Sequence, residues 1–314
     1  ISWLDQRQVD SKPVLGVFES ALMALVRAKP LVDLMHQQSE ANWLEQNEPE
    51  LWKQVSKFLL LSGYHNYKLT GEYKDSIAST VGFVPFDYKT QQWAEKNDWK
   101  WRAMPITRDM LPEVLSAGSK LGKITATAAI ETGIPEGLTL IASGSDKACE
   151  VLGTGCTDSH TGSLSYGSLA TINIASDKYL EAIPFYPAYP GVVPGTFNVE
   201  MMVQRGYWMV SWFKQEFGLH ETQKSTEQKV SPESLFDQLL AEVPAGSDGL
   251  MLQPYWSPSN GDGPETRGAI IGFTESHTRA HLYRAMIEGL TYALRESKEL
   301  LEKRSGKSIT RLVV

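Results

Sequence analysis

The sequence predicts an α/β fold with mixed sheets, because segments with strand spacing and segments with helical spacing alternate along its 314 residues. The apolar run at 138–142 is typical of a buried strand. Residues 280–304 repeat apolar side chains at helical spacing, which predicts a long helix. Two alternating segments within 163–173 meet at Gly167-Ser168 and predict a β-hairpin. These patterns alone take the fold no further.

The N-terminal part of the chain contains predicted helices and one stretch without a clear period. Residues 16–29 have helical apolar spacing, which Pro30 is predicted to end. A second helix is predicted over 40–62, interrupted by a turn and a new start at 47–50. Residues 86–105 are polar and rich in Trp, which predicts a surface excursion.

The composition is that of a globular protein and argues against two kinds of partner. Hydrophobic residues make up 42% of the chain and charged residues 21%, and the net charge is -7. A nucleic-acid surface needs clustered Lys and Arg, and no basic stripe is visible in the sequence. The longest apolar run, around 58–61, is much too short to span a membrane. We therefore expect neither nucleic acid nor a membrane as a partner.

The cysteines and the two ends of the sequence give further expectations. Cys149 and Cys156 are the two cysteines of the chain; their spacing fits no zinc pattern, and a disulfide framework needs more of them. A cytoplasmic location is therefore expected. The chain opens at Ile1 on an apolar stretch and ends in a predicted strand at 309–314. We expect it to be a segment of a longer protein.

The residue pattern of the sequence changes after residues 153–155. A pair of strand-like segments and a loop rich in proline and aromatic residues follow this point. We therefore predict two domains, 1–152 and 153–314. Internal repeats with periods of 20–50 residues are not visible in the sequence.

Asp146 is the strongest candidate for a catalytic base. It follows the predicted buried strand and Gly144, which we expect to let a substrate approach closely, and it opens a helix. Negative charge at a helix N-terminus is favoured by roughly 0.3–1 kcal/mol, which keeps a carboxylate ionised and able to accept a proton. The same position is also typical of a simple N-cap. The residues alone leave both interpretations open.

Three other patterns have both a functional and a structural interpretation. Gly167-Ser168 either presents backbone N–H groups to a phosphate or forms an ordinary β-turn. Arg267 either reaches a phosphate or is a solvated surface charge. His277 and His281 lie near the start of the long C-terminal helix, where no nearby Cys or second carboxylate completes a metal site. We predict that both histidines pack or cap.

The segment Trp3-Leu4-Asp5-Gln6-Arg7 places an aromatic residue, an acid and a base at alternating positions. On a strand, Trp3, Asp5 and Arg7 would share one face. That face suits sugar recognition, in which an aromatic ring stacks on the sugar and charged groups bond its hydroxyls. It equally suits a structural salt bridge, so both interpretations stay open.

Several motifs together resemble the FGGY family of carbohydrate kinases, and within it the pentulose (xylulose) kinases. The segment 268–288 is similar to the family's C-terminal signature and departs from it at Phe273. The segment Gly144-Ser145-Asp146-Lys147 lies where the family keeps its catalytic aspartate. Further similar segments are W-x-D-x-R at 3–7, a first signature at 43–50 and K-L-T-G at 68–71. The resemblance covers nearly the whole chain.

The resemblance implies an actin-like ATPase fold of two ribonuclease-H-like lobes, each partial in this chain, with ATP and Mg²⁺ as cofactors. It implies that 1–152 is the remainder of the sugar-binding lobe and 153–314 the first part of the nucleotide lobe. Asp146 would be the general base. The sugar contacts would be Trp3, Asp5, Arg7 and Lys147. The nucleotide contacts would be Gly167, Ser168 and, on a looser match, Gly206, to which we add Arg267 as a candidate for a phosphate.

The chain also departs from the family pattern. Glu40 stands where a lysine is usual, Lys147 where a glutamine is usual, and Leu169 where a small residue is frequent. The family's D-x-G-T loop, which holds Mg²⁺ and the phosphates, and its glycine-rich adenosine loop are not in this sequence. We therefore predict little or no kinase activity from this chain alone.

Two classes of function follow from these observations. The favoured one is an ATP-dependent kinase that phosphorylates a hydroxyl of a small ketose or polyol. A pentulose kinase is preferred to a glycerol kinase, because the segments 186–190 and 198–200 do not resemble glycerol kinases. The alternative is a non-catalytic sugar-binding or interaction module on a degraded kinase scaffold. A homodimer is one open alternative for the assembly.

Overall fold

The structure, a computed structural model, describes residues 7–10, 12–25, 29–82, 84–167, 169–204, 206–256 and 266–314. The chain forms two compact units. The first unit comprises residues 1–152, 177–179 and 187–198, and the second comprises 153–176, 180–186 and 199–314. Two short segments that follow residue 153 therefore belong to the first unit.

The described chain contains both helices and short strands, which agrees with the α/β class predicted from the sequence. The helices are α1 Val17–Leu25, α2 Lys29–Gln37, α3 Glu40–Asn47, α4 Pro49–Trp52, α5 Leu61–Thr70, α6 Lys100–Ala103, α7 Ala126–Thr132, α8 Asp146–Gly153, α9 Trp208–Phe217, α10 Leu219–Gln228, α11 Pro232–Glu242 and α12 Arg279–Ser305. The strands are β1 Lys74–Ser76, β2 Phe86–Asp87, β3 Gln92–Trp93, β4 Glu113–Leu115, β5 Lys120–Lys123, β6 Thr139–Ile141, β7 Thr161–Tyr166, β8 Ala170–Ser176, β9 Tyr189–Pro190, β10 Phe197–Val203, β11 Met251–Gln253, β12 Ala269–Ile271 and β13 Arg311–Val313.

The first unit is built from helices and two-stranded ribbons. β1 pairs in parallel with β4, while β2 with β3 and β5 with β6 form antiparallel pairs. β9 pairs with the first two residues of β10, and these four residues belong to the first unit. A 3-10 turn, Ile77–Ser79, follows β1 directly. This turn matters below because it contacts the loop before α8.

Two helix predictions for the first unit are wrong in their extent. Pro30 does not end a helix but is the second residue of α2, where its missing N–H has no intrahelical partner to lose. The predicted helix over 40–62 is interrupted as expected near Pro49, but α4 ends at Trp52 and the next helix begins only at Leu61.

Two burial predictions for the first unit are also wrong. Residues 86–105 are not a surface excursion, because Phe86 is fully buried and Trp93, Trp99 and Trp101 pack against buried clusters. The strand predicted at 138–142 exists as β6, but Ile141 is 49% exposed. β6 pairs with β5 in a two-stranded ribbon, which leaves much of its surface open to solvent.

The second unit is organised around a sheet whose strands lie in the order β13, β7, β8, β10. β7 and β8 form the predicted antiparallel hairpin, with Tyr166 opposite Ala170, and β13 runs parallel to β7. Every residue of β8 is buried. α12 packs against β8 and β11, and its buried face confirms the predicted long helix.

The core of the second unit is aromatic and aliphatic. The rings of Phe213, Phe236 and Tyr283 lie with centroids 4.8–5.6 Å apart, on α9, α11 and α12. This burial raises the pKa of Tyr283 to about 12, because a phenolate is disfavoured away from water and Asp237, Tyr207 and Glu233 add to the effect. No helix in the described part of the chain combines the length and apolar character that a membrane span requires.

Candidate functional site

Asp146 is the first residue of α8, and its carboxylate is exposed. The cap of this helix is the residue before it. The Ser145 hydroxyl accepts the N–H of Ala148 at 3.2 Å, and the Ser145 carbonyl accepts the N–H of Cys149 at 2.9 Å. The Asp146 carboxylate accepts a local bond from the N–H of the next residue, Lys147, at 2.7 Å. The structure therefore assigns the capping role to Ser145 and leaves the Asp146 carboxylate facing solvent.

Gly144, two residues before Asp146, is required by packing. A Cβ at this position would lie 2.7 Å from a Val192 methyl, 3.1 Å from the Ala148 Cβ and 3.3 Å from the Ala78 Cβ. We expected this glycine to let a substrate approach. The structure corrects that reason: the space beside Gly144 is filled by the protein's own side chains, which fix the loop before α8.

Lys147 follows Asp146 on α8 and is partly buried. Its ammonium group pairs with the Glu150 carboxylate at 2.7 Å, one helical turn further on. The ammonium group is thus directed along the helix toward Glu150. Asp146 and Lys147, predicted separately as base and sugar contact, are the two adjacent residues of one exposed helix start.

Arg7 contacts an aromatic ring in the first unit. Its guanidinium carbon lies 3.9 Å from the ring centroid of Trp43, on α3, which is a cation–π arrangement. Residues 7–10 have no regular secondary structure. Trp3 and Asp5 lie outside the described residues.

Two nucleotide-side candidates of the second unit lie close together. A Cβ on Gly206 would lie 2.1 Å from the backbone nitrogen of Ala170 and 2.8 Å from its Cα. The backbone at Gly206 therefore lies against Ala170, the first residue of β8. Ala170 follows Gly167, in the hairpin, by three positions. The rings of Tyr166 and Tyr207 meet beside it, with centroids 4.7 Å apart.

The two glycines differ in the space around them. A Cβ on Gly167 would meet only the Leu169 carbonyl oxygen, at 3.7 Å, so this position is open. Ser168 lies outside the described residues. A phosphate can approach the backbone at Gly167, because this exposed residue carries no side chain.

Arg267 lies on a different element, immediately before β12. It is exposed, and one of its guanidinium N–H groups donates to the Thr266 carbonyl at 2.9 Å. This placement agrees with either interpretation given above, a phosphate contact or a solvated charge.

The polar residues of the C-terminal signature hold a turn. His281 accepts the N–H of Thr278 at 3.1 Å and completes a capping box with it, which confirms the predicted capping role. Its other ring nitrogen lies 3.1 Å from an Asp248 carboxylate oxygen. Glu288 accepts the N–H of Gly246 at 3.1 Å. Both side chains thus fasten the turn around Ser247–Gly249 to α12.

The described residues offer no group of three or more His, Cys, Asp or Glu side chains able to hold a metal ion. A Mg²⁺ ion that acts with ATP does not need such a group, because it is typically bound by one or two carboxylates together with phosphates and water. The exposed Asp146 carboxylate is compatible with that donor set.

Sequence reasoning missed the support beneath this site. Ser76 and Ala78, at the end of β1 and in the 3-10 turn, hydrogen-bond to Ser143 and Ser145 in the loop before α8. The short polar segment 75–79 gave no periodic or motif signal for this role. The contact joins residues 67 positions apart, and only the folded chain brings them together.

Comparison with known protein families shows to which family this chain belongs. Residues 1–153 match the N-terminal domain of the FGGY family of carbohydrate kinases, and residues 162–314 match its C-terminal domain. The chain belongs to the FGGY family. Both halves of the match lie in the order that the motifs predicted.

Individual FGGY relatives agree with this assignment. An uncharacterized sugar kinase of Escherichia coli, YgcE, is 34% identical over 238 residues, which cover 75% of this chain and 48% of that protein. The xylulose kinase of Lactococcus lactis is 28% identical over 277 residues, or 86% of this chain and 52% of that protein. The chain spans about half the length of these FGGY relatives.

A solved FGGY structure shows the same fold. The xylulose kinase from Rhodospirillum rubrum superimposes with a TM-score of 0.69 at 26% sequence identity, over 88% of this chain and 53% of that one. This likeness and the mixed α/β architecture confirm the predicted actin-like, ribonuclease-H-like fold, represented in part.

Proposed function

We propose that this chain serves an ATP-dependent carbohydrate kinase that transfers the γ-phosphate to a hydroxyl of a small ketose or polyol. The observation that carries the proposal is the Asp146 carboxylate. It is exposed at the start of α8, and it does not cap the helix, because Ser145 has that role. Membership in a family of carbohydrate kinases supports the reaction class.

Asp146 is proposed as the general base. It accepts the proton of the acceptor hydroxyl while that oxygen bonds to the γ-phosphorus and the bond from the γ-phosphorus to the β-phosphate oxygen breaks, with ADP taking the electron pair. Mg²⁺ bound with ATP would neutralise phosphate charge.

The remaining candidates divide between the two units in this proposal. The first unit supplies the sugar contacts Trp3, Asp5, Arg7 and Lys147. The second unit supplies the nucleotide contacts Gly167, Ser168, Gly206 and Arg267. The close approach of Gly206 to Ala170, at the start of β8, supports the second group, and the contact of Arg7 with the Trp43 ring supports the first.

A pentulose is the proposed substrate class. The Lactococcus lactis and Bacillus subtilis relatives are named xylulose kinases. The segments 186–190 and 198–200 also lack resemblance to glycerol kinases. Glycerol and the hexuloses are the competing acceptors to be tested.

The test is release of ADP from Mg-ATP in the presence of pentuloses, hexuloses and polyols, measured on the product of the natural reading frame that contains this sequence. Asp146→Ala is expected to lower the sugar-dependent rate by about 10²–10⁴-fold. Glu131→Ala, which removes an exposed acid on α7, is the matched control and is expected to keep the wild-type rate.

Each outcome separates the alternatives. Sugar-dependent turnover that Asp146→Ala abolishes establishes the kinase, and the panel names its acceptor. Turnover with glycerol and no ketose replaces the pentulose by a glycerol-type substrate. Folded protein that binds sugar regardless of Mg-ATP and shows no turnover with any acceptor supports the degraded-scaffold alternative.

A further inference from the structure

Ser76 is almost fully buried, and its hydroxyl is used in two directions. It donates to the carbonyl of Ser143, in the loop before α8, and accepts the N–H of Ala78 at 3.2 Å. A hydroxyl that donates to one loop and caps another fixes the separation between them, because neither bond can be exchanged for water inside the protein.

A second bond reinforces the same contact. The Ala78 carbonyl accepts the N–H of Ser145 at 2.8 Å. The bonded groups, Ser143 C=O and Ser145 N–H, stand on either side of Gly144. The Ala78 Cβ packs against Gly144 itself. The three residues before Asp146 are therefore held by Ser76 and Ala78.

Ser76 is itself held by the neighbouring Asp75 carboxylate. The Asp75 carboxylate, 2% exposed, accepts the N–H of Ser76 at 2.8 Å and the side-chain amide of Asn66 at 3.0 Å. It also accepts the Ser62 hydroxyl at 2.7 Å. Since Ser62 and Asn66 both lie on α5, a continuous chain of hydrogen bonds links α5 to the loop that presents Asp146.

We propose that Ser76 is a positioning residue for the Asp146 base. The inference rests on the proposed function. A general base must be held close to its productive position, and a displacement of about 1 Å costs on the order of 10²-fold in rate. Removal of the Ser76 hydroxyl frees the Ser143 carbonyl and loosens the start of α8, while the nucleotide contacts of the second unit stay in place.

The chain offers a matched pair of serines for the test. Ser76→Ala removes the hydroxyl that bonds Ser143, whereas Ser79→Ala removes the hydroxyl of a buried residue in the adjacent turn that makes no hydrogen bond to the described residues 143–145. Ser76→Thr keeps the hydroxyl. The three variants and Asp146→Ala are assayed with the acceptor sugar and Mg-ATP, and amide exchange of Ser145 is followed by NMR.

Ser76→Ala is expected to lower kcat by about 10- to 100-fold, with the KM for ATP within about twofold of wild type. Ser79→Ala is expected to keep the wild-type kcat, and Ser76→Thr to recover most of the loss. Exchange of the Ser145 amide is expected to speed up in Ser76→Ala but not in Ser79→Ala. A merely structural role would lower stability in both alanine variants and leave kcat of the folded fraction unchanged.

The outcomes distinguish this inference from the proposed function. If Asp146→Ala abolishes turnover while Ser76→Ala and Ser79→Ala have equal kcat, the positioning role is overturned and the base remains. If Asp146→Ala retains full activity, the base assignment fails and the positioning role falls with it.

Discussion

The Ser145 hydroxyl accepts the N–H of Ala148 at 3.2 Å at the start of α8. This bond settles which of two neighbouring residues caps the helix. The sequence left open a simple N-cap at Asp146, but Ser is as good a cap as Asp. With Ser145 in that role, replacement of Asp146 does not remove the cap.

The first prediction separates stability from activity at this helix. Ser145→Ala is expected to lower the free energy of unfolding by about 1 kcal/mol, because an N-cap is lost. Asp146→Ala is expected to change it by less than about 0.5 kcal/mol, because an exposed residue is removed. Urea denaturation of both variants measures the difference. A loss in Asp146→Ala as large as in Ser145→Ala would return the capping role to Asp146.

The second prediction concerns the histidine in the capping box of α12. Glu and Gln are the usual residues at the position of His281. Because its Nδ1 accepts the Thr278 N–H, the proton of the neutral ring is on Nε2, which faces Asp248. His281→Gln is expected to preserve stability, and His281→Ala to lower it by about 1 kcal/mol.

Chemical denaturation and the ¹⁵N spectrum of the His281 ring test this together. Protonation at Nδ1 in the neutral ring, or equal stability of the Gln and Ala variants, would contradict the capping geometry. Thr278→Ala supplies the second arm of a double-mutant cycle, in which the two losses should not add.

The third prediction is a dependence of stability on pH from Glu221. Arg279, at the start of α12, donates two bonds to this carboxylate, at 2.5 and 2.8 Å, and the Glu221 side chain is 5% exposed. Burial by itself raises the pKa of Glu221, but the bonds from Arg279 and from its own backbone outweigh burial and hold the pKa below its ordinary value.

Because the folded pKa is the lower one, the unfolded chain binds the proton first as the pH falls. The contribution of Glu221 is therefore present above the ordinary carboxylate range and is lost as the pH falls through the folded pKa. Glu221→Gln is expected to be less stable at neutral pH by about 1–3 kcal/mol and to lose less on acidification. Glu299→Gln, in an exposed pair with Arg295, is the control. Identical acid unfolding of wild type and Glu221→Gln would refute the prediction.

The fourth prediction tests the contact between Gly206 and β8. Gly206→Ala is expected to destabilise the protein by about 1–3 kcal/mol, because the new Cβ would overlap the backbone of Ala170. Weaker binding of an ATP analogue is expected in addition if this turn contacts the nucleotide. Gly153→Ala is the control, since a Cβ there has nothing within 4 Å. Calorimetric unfolding and nucleotide titration measure the two effects. A Gly206→Ala variant as stable as wild type would contradict the prediction, because it would show that the backbone shifts to make room for the new Cβ.

The sequence predicted the elements whose signal is local. The β7–β8 hairpin, the long helix α12 and the capping role of His281 follow from alternation, helical period and end chemistry. The motifs predicted the FGGY family, which the two domain matches confirm. The predictions that failed depend on distant neighbours. Phe86 is buried by residues far along the chain, and Ile141 is exposed because β6 has a single partner strand.

The candidate site divides in the same way. Local order along the chain determined that an acid opens α8 and that glycines occupy the two turns near β8, because these features depend on residue type and spacing. Tertiary structure alone decided that Ser76 and Ala78 hold the loop before Asp146 and that Gly206 presses against Ala170. Those contacts join residues 36 to 67 positions apart, and a hydrogen bond or a close approach at such separation leaves no periodic trace in the sequence.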